Sequence, residues 1–260
     1  MALLASENRQ RFIDDRRSHL PNVHEILESL EKTYGLQQAT GPTDPYEMIV
    51  YLNCGYPASD AWCSKGFDVL KREVGLSPRE LLAAPRAKLA KLLRLGGILP
   101  DQRAERLQEI ARRVKGDYGG DLQTALKRCM QEEKQQPGRG VRAAKKILRE
   151  FPVIGEPSAE KILLFSKLAP VAAVPSAFVE VPTRLWVGKP GKNYAADYRA
   201  ARDTLSAGLA ETLEARQRAY LLLKKHGQQT CKRSEPKCEI CPLTGQCAYI
   251  QLQAADRHVV

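Results

Sequence analysis

No apolar segment of this 260-residue chain approaches the ~20 residues that a membrane-spanning helix requires. Its opening stretch, MALLASENRQRFIDDRRSHL, lacks the long apolar core of a secretory signal peptide. The chain also lacks any sustained alternation of apolar and polar residues, which is the pattern of a β-strand. We therefore expect an all-α, cytoplasmic protein that has no membrane as a partner.

Acidic residues are too few to balance the basic ones. Lysine and arginine number 41 against 30 aspartates and glutamates, so the net charge is +11 and the isoelectric point is about 9.4. Such an excess favours a polyanionic partner. The hydrophobic content of 43% is enough for a core, and the length suits one long domain or two closely joined ones.

Apolar residues recur with the period of a helix. Leu107, Ile110, Ala111 and Val114 share one helical face. Ser77 with Pro78 is expected to begin a short helix, and Pro85 is expected to open the next. Further helices are predicted near 22–35, 45–54, 60–74, 122–134, 142–151, 158–168, 197–206 and 212–226. The segment EKQQPGRG at 133–140 is interpreted as a flexible basic link.

Four of the seven cysteines crowd the C-terminal segment CKRSEPKCEICPLTGQC. They are Cys231, Cys238, Cys241 and Cys247, spaced C-x6-C-x2-C-x5-C. Because disulfides do not persist in a reducing compartment, a metal site is expected, either an iron-sulfur cluster or structural zinc. Zinc sites usually use two C-x2-C pairs, so the single uneven loop favours a [4Fe-4S] cluster. The other cysteines, Cys54, Cys63 and Cys129, are predicted to be buried apolar residues.

The wider segment KKHGQQTCKRSEPKCEICPLTGQC resembles the C-terminal loop of the endonuclease III branch of DNA glycosylases. The resemblance implies a structural [4Fe-4S] cluster on the four cysteines and a structural role for His226. It also implies that the basic loop residues face DNA phosphate; these are Lys232, Arg233 and Lys237. On charge alone these side chains are equally well explained as solvated surface residues.

The stretch EFPVIGEPSAEKILLF resembles the helix-hairpin-helix of the same family, in which backbone N–H groups bind a DNA phosphate. AAKKILREF would form the first helix, PVIG the hairpin and SAEKILLF the second helix. An ordinary αα-hairpin that only packs a core is the alternative. The predicted DNA-binding residues here are Pro152, Val153, Ile154, Gly155, Ser158 and Lys161.

The chain departs from the family at three functional positions. The nucleophilic lysine of the hairpin corresponds to Pro157, and the catalytic aspartate corresponds to Pro175 in AVPSAF. The glutamine that fills the gap left by a flipped base corresponds to Pro57. Proline can neither attack a sugar nor stabilise its developing positive charge, so no catalytic residue is predicted. Glu180 is a weak substitute for the aspartate.

The resemblance therefore implies the helix-hairpin-helix DNA glycosylase fold in two α-helical domains. A six-helix barrel would span 45–168 and end in the helix-hairpin-helix at 143–168, while 1–44 and 169–260 would form the iron-sulfur domain. The expected function is binding of DNA, mainly at its phosphates and including bent or branched forms, by a monomer without glycosylase or AP-lyase activity. Two alternatives are a glycosylase that uses a relocated carboxylate and a protein-interaction or redox-sensing module.

Overall fold

The computed structural model describes residues 22–55 and 60–257. Every regular element in these ranges is helical, which confirms the all-α prediction. The longer helices are α1 Val23–Tyr34, α2 Pro45–Gly55, α3 Asp60–Glu73, α4 Pro78–Ala83, α5 Arg86–Leu93, α6 Pro100–Asp117, α7 Leu122–Gln135, α8 Arg139–Arg149, α9 Glu156–Phe165, α10 Tyr194–Gly208, α11 Leu213–Gln229 and α12 Ala248–Arg257. Short helical turns lie at Arg94–Gly96, Ser176–Phe178, Glu180–Pro182, Thr183–Val187, Cys238–Ile240 and Thr244–Gln246.

The described residues form two compact units. One comprises 39–171, and the other comprises 22–38 together with 172–257. The domain limits given by the sequence, 45–168 and 1–44 with 169–260, stay a prediction. No helix in the described ranges is both long and apolar enough to span a bilayer.

Helix starts follow local capping chemistry, as the sequence indicates. Ser77 caps α4 by accepting from the N–H of Glu80, whose carboxylate accepts in return from the N–H of Ser77 at 2.9 Å. Pro85 immediately precedes α5. Asp121 caps α7 by accepting from the N–H of Thr124 at 2.9 Å. The predicted starts at Ser77 and Pro85 are therefore confirmed.

The 39–171 unit contains helices α2 to α9 around one apolar core. Its fully buried side chains include Ile49, Leu70, Leu81, Leu89, Leu107, Ile110, Leu122 and Leu126. The C-terminal end of α2 is capped from inside the core by Arg103, which is 3% exposed and donates to the carbonyls of Cys54 and Gly55 at 3.3 Å each. The last carbonyls of a helix have no donor within the helix, and the Arg103 guanidinium supplies one to each of these two.

The link at 133–140 is ordered, so the interpretation of it as flexible is wrong. Helix α7 continues to Gln135 and α8 begins at Arg139. The Glu133 carboxylate accepts from the N–H groups of Gly138 and Val141, which ties the end of one helix to the start of the next. At Gly140 a β-carbon would lie 2.0 Å from the carbonyl oxygen of Cys129, so only glycine allows α7 and α8 to approach so closely.

The second unit is built on α1 and α11, which pack against each other. Ile26, Leu27 and Leu30 of α1 join Leu222 and Leu223 of α11 in its core. The cysteine-rich segment is anchored in the same core through Leu243 and Cys247, which are 1% and 8% exposed. The loop that carries the four cysteines is therefore part of the packed unit.

Candidate functional site

The predicted hairpin joins α8 to α9 through a tight turn. The N–H of Ile154 donates to the carbonyl of Phe151 at 3.2 Å, and α9 then begins at Glu156. Val153, at the top of the turn, has φ +58°, in the left-handed region that a β-branched residue rarely occupies. The turn thus keeps a glycine-type backbone with valine in place, at a conformational cost of about 1–2 kcal/mol.

Gly155 precedes α9 and is exposed, with its backbone in an extended conformation at φ −86°. A β-carbon at this position would meet only the Cδ of Pro157, at 3.8 Å, which is ordinary van der Waals contact. Neither backbone strain nor crowding by the described residues therefore requires glycine here. Its evident effect is that the residue just before α9 has no side chain to cover its exposed backbone.

Pro157 lies in the first turn of α9, which begins at Glu156, two residues earlier than the predicted start at residue 158. An N–H in that turn would have no acceptor within the helix, so proline removes nothing that α9 needs. The position given to the family's lysine is therefore occupied by a residue that fits the helix and offers no side-chain nitrogen.

Lys145 of α8 holds the hairpin through two carboxylates of α9. Its Nζ donates to Glu160 at 2.6 Å and to Glu156 at 2.9 Å. The Glu160 side chain is only 3% exposed and that of Lys145 is 18% exposed. A buried carboxylate needs such a cation to remain charged. This ion pair joins the two helices on either side of the turn and opposes the acidic charge beside it.

Asn53 of α2 is hydrogen-bonded to the backbone at the start of the turn. Its side-chain nitrogen donates to the carbonyl of Ile49 at 3.0 Å and to that of Pro152 at 3.1 Å. Asn53 is 2% exposed, and its Oδ1 has no hydrogen-bond partner among the described residues. The carbonyl of Pro152 is thereby fixed to a core helix, which positions the turn that follows.

The residues predicted to bind DNA differ in accessibility. Ile154 is 4% exposed and its N–H is used within the turn, so its own contribution is to packing. Gly155 is exposed. The rest of the hairpin set is half-buried: Pro152, Val153, Ser158 and Lys161. The predicted basic residues of the cysteine-rich loop are all exposed: Lys232, Arg233 and Lys237.

The four C-terminal cysteines line one recess of the second unit. The recess has a cavity volume of about 20 Å³, and its walls include Cys231, Cys238, Cys241 and Cys247. None of the four is in a disulfide. Among the described residues, no group of three or more histidine, cysteine, aspartate or glutamate side chains is drawn together closely enough to count as a site for a metal ion.

Arg184 ties the cysteine-rich loop to the short π turn Thr183–Val187. Its guanidinium donates to the carbonyls of Lys232 and Arg233 at 2.7 Å each and lies 3.5 Å from the sulfur of Cys231. The thiol of Cys247 lies 3.6 Å from the carbonyl oxygen of Arg184. Arg184 therefore both shapes the basic loop and places a positive charge at the recess.

His226 closes the recess from the core side and is 1% exposed. Its Nδ1 lies 2.8 Å from the hydroxyl of Tyr34, which also contacts the hydroxyl of Thr230, and its Nε2 lies 3.8 Å from the sulfur of Cys241. Burial lowers the pKa of His226 to about 4, so the ring is neutral at physiological pH. These contacts agree with the structural role expected for this histidine.

Burial also acts on the thiols of the recess. It raises the pKa of Cys231, Cys238 and Cys241, and the neighbouring Arg184 opposes the rise at Cys231. Four thiols that line one recess form a donor set that suits a soft metal group. The chemistry of this donor set therefore suits either centre considered from the sequence, a four-iron cluster or a zinc ion, although the described side chains would have to move closer together to hold one.

The comparisons with known proteins bear on the fold. No protein-family model matches the sequence. A solved complex of endonuclease III with DNA, non-covalent, has a TM-score of 0.68 to this chain at 18% identity, and the match covers 90% of this chain and 97% of that one. A solved thermostable thymine-DNA glycosylase has a TM-score of 0.66 at 20% identity, with 88% and 97% covered. The chain has the helix-hairpin-helix DNA glycosylase fold.

A sequence relative points the same way. The thymine/uracil-DNA glycosylase of Methanothermobacter thermautotrophicus is 29% identical to this chain over 175 residues. The aligned part covers 66% of this chain and 67% of that protein. The predicted fold class is thus confirmed by the structural neighbours, and the weak sequence relationship supports the same superfamily.

The positions given to the family's catalytic aspartate and to its substitute offer no free carboxylate. Pro175 is buried and begins the short turn Ser176–Phe178. Glu180 accepts from Nε of Arg233 at 2.9 Å, and its side chain is 22% exposed. Pro57, the position given to the gap-filling glutamine, lies outside the described residues.

Sequence reasoning missed the residues that hold the hairpin and the cysteine-rich loop in their conformations. Lys145, Asn53 and Arg184 each act on a segment that is distant in sequence or on the next helix. A lysine that lies 11 and 15 residues before its two carboxylate partners belongs to no sequence motif. One signal for Lys145 was available in the sequence: the amphipathic pattern of α8 places this lysine beside the buried face formed by Ala144 and Leu148.

Proposed function

We propose that this protein binds DNA as a monomer of the endonuclease III superfamily, carries a [4Fe-4S] cluster and has neither glycosylase nor AP-lyase activity. The observation that carries the DNA-binding part is the hairpin itself. The turn keeps φ +58° at Val153 although valine is strained there, and it leaves Gly155 bare and exposed. Strain that is retained at a surface turn is typical of a functional constraint.

The comparisons support a nucleic-acid partner. One structural neighbour is a complex of endonuclease III with DNA, and the sequence relative is named for glycosylase action on thymine and uracil in DNA. The net charge of +11 suits the same partner. In our proposal the hairpin and the basic loop residues Lys232, Arg233 and Lys237 contact phosphate, so affinity falls steeply with salt and DNA shape outweighs base sequence.

The cluster in this proposal is structural. Cys231, Cys238, Cys241 and Cys247 would hold it, because they line one recess and none is in a disulfide. A bound iron-sulfur cluster supplies cross-linking through four thiolates and is capable of electron transfer. Around it, Arg184 fixes the carbonyls of Lys232 and Arg233, so the chain presents its basic loop in one conformation.

The loss of catalysis rests on three side chains. Pro157 offers no nucleophile and Pro175 no carboxylate, and the remaining candidate, Glu180, is engaged by Arg233. Glu160 is buried and paired with Lys145, so it is not a substitute either. A glycosylase with a relocated carboxylate would need one of these groups to be available, and for that reason we do not favour it.

Substitution of Gly155 by alanine tests the hairpin. The added methyl group meets only Pro157, at ordinary contact distance, so the fold should tolerate it with a loss of stability of about 1 kcal/mol or less. It would nevertheless stand between the backbone N–H groups and a phosphate. We expect affinity for an undamaged duplex, measured by fluorescence anisotropy at fixed salt, to fall about tenfold.

The matched control for this test is Gly116→Ala in α6. At Gly116 a β-carbon meets no described atom within 4 Å outside its own helix backbone and chain neighbours, so this variant carries the same chemical change elsewhere on the unit. Its DNA affinity should equal that of the native protein. If Gly155→Ala also binds like the native protein, the hairpin is an ordinary helical connection and not the DNA contact.

Base release tests the second half of the proposal. We expect the native protein to release no base from duplexes that carry uracil, thymine mismatches, oxidised pyrimidines or alkylated purines, and to leave abasic sites uncut. The Pro175→Asp variant should be assayed beside it to ask whether the scaffold still accommodates the carboxylate. Multiple-turnover release of any base by the native protein would refute the inactive interpretation.

A further inference from the structure

Helix α8 carries a row of basic side chains that the proposed function does not use. Arg139, Arg142, Lys146 and Arg149 follow one another at intervals of three, four and three residues. With 3.6 residues per turn they fall within about 80° of the helix circumference, and with a rise of 1.5 Å per residue they span about 15 Å. All four are exposed. We call this set the α8 basic face.

Two carboxylates near this face are already paired with other cations, and a third, Glu133, accepts from the N–H groups of Gly138 and Val141 and has its pKa lowered in part by nearby Arg142. Glu150, at the end of α8, lies 3.7 Å from Arg113 of α6. Glu156, at the start of α9, accepts from Lys145. Glu133 offsets part of the charge of Arg142, whereas Glu150 and Glu156 are engaged by Arg113 and Lys145, so this side of the unit keeps an excess of positive charge.

The face borders a concave surface. Arg142, Lys145, Lys146 and Arg149 line a cleft of about 470 Å³, together with Glu150 and Glu156. The cleft lies between the side of α8 and the start of α9, within the 39–171 unit. A ligand that filled it would meet charged groups on several sides, whereas a single row on a flat helix offers only one.

We propose that the α8 basic face binds the phosphate backbone of a second stretch of nucleic acid, beyond the phosphate held at the hairpin. Three of its four cations are arginines, whose planar guanidinium groups match phosphate oxygens in pairs. Their regular spacing along an axis suits a partner with repeated single charges. The apolar residues that alternate with these cations in the sequence are half-buried: Val141, Ala143 and Ile147. The face therefore lacks the exposed apolar centre that a protein partner would need.

The inference rests on the proposed DNA binding, since it extends the same interaction to another surface. It predicts a larger site than the hairpin alone would occupy. A protein with two phosphate-binding surfaces on one rigid unit would also favour bent or branched DNA, where two backbones run close together, over a short straight duplex.

The test removes three charges from the face with Arg142→Gln, Lys146→Gln and Arg149→Gln together. Affinity for an undamaged duplex and for a four-way junction is measured over a series of salt concentrations. If each residue meets one phosphate, the slope of log K against log salt should become less steep by about 2–3, since each phosphate contributes about 0.9. The loss of affinity should be larger for the junction than for the duplex.

The control variant removes the same charge elsewhere on the unit with Lys91→Gln, Arg112→Gln and Lys127→Gln. These side chains are exposed and lie on three different helices, α5, α6 and α7. A generic effect of net charge would change both triple variants equally. We expect the control to change the salt slope by less than one unit.

The outcomes separate this inference from the proposed function. If the native protein binds neither DNA, the proposed function fails. If it binds, and the face variant has the same slope and affinity as the control, the inference alone fails. If the face variant binds DNA like the native protein but loses retention on immobilised polyglutamate, the face serves an acidic protein and the inference is overturned.

Discussion

Replacement of Lys145 by methionine should lower the free energy of unfolding of the 39–171 unit by about 3 kcal/mol. Methionine keeps the length and the apolar stem of lysine, so most of the packing survives. What is lost is the cation 2.6 Å from Glu160, whose side chain is 3% exposed. Removing one partner of a buried ion pair leaves the other charge in a medium that solvates it poorly. Urea unfolding followed by circular dichroism measures the change.

Two further variants locate the origin of that loss. Lys146→Met makes the same chemical change at the next, exposed position and should alter stability by about 0.5 kcal/mol or less. The double variant Lys145→Met with Glu160→Leu removes both charges and should recover a large part of the loss. A double variant that is less stable than Lys145→Met alone would show that apolar packing, and not charge, gives Lys145 its importance.

The same ion pair bears on function. Glu156 and Glu160 place two carboxylates beside a turn that is proposed to receive a phosphate, and Lys145 contacts both. Without the lysine these acids would repel the DNA backbone. The Lys145→Met variant is therefore expected to bind duplex DNA more weakly under conditions where it remains folded, which links the stability of the hairpin to its electrostatics.

The fold was predictable from the sequence because its signals are local or repeated. Helical periodicity around Leu107 to Val114 and the capping pair at Ser77 and Glu80 depend on residues that are near neighbours in the chain. The cysteine spacing is a compact pattern that few other folds carry. The burial of Cys54, Cys63 and Cys129 followed from their chemistry, and the structure confirms it at 0%, 2% and 8% exposed.

The supporting contacts were not predictable because their partners are far apart in the sequence. Asn53 reaches a carbonyl 99 residues away, and Arg184 reaches carbonyls 48 and 49 residues away. The prediction of a flexible link at 133–140 was wrong for a related reason. Its glycines and proline are typical of a flexible segment, but the close approach of Gly140 to Cys129 and the two bonds to Glu133 fix it. The amino-acid composition of a segment alone does not reveal such contacts.

Substitution of Cys238 by serine is expected to abolish the metal centre. In our proposal the protein purified without oxygen carries about four iron atoms per chain and absorbs visible light, because four thiolates complete the cluster. Those thiols line one recess, and the segment that carries them is anchored in the core of its unit through Leu243 and Cys247. Loss of one ligand should remove the iron and lower the unfolding midpoint of the cysteine-containing unit by about 10 °C, since each kcal/mol shifts the midpoint by 2–4 °C.

Cys129→Ser provides the matched control, because Cys129 is a buried thiol that lies outside the recess. It should keep the full iron content and the visible band at a cost in stability of about 1 kcal/mol. Elemental analysis then distinguishes the two centres considered from the sequence. One zinc per chain, lost in Cys238→Ser and kept in Cys129→Ser, would retain the four-cysteine site and refute the iron-sulfur assignment. Equal metal content in both variants would mean that the recess does not bind the metal, and the basic loop would then owe its conformation to protein contacts such as those of Arg184.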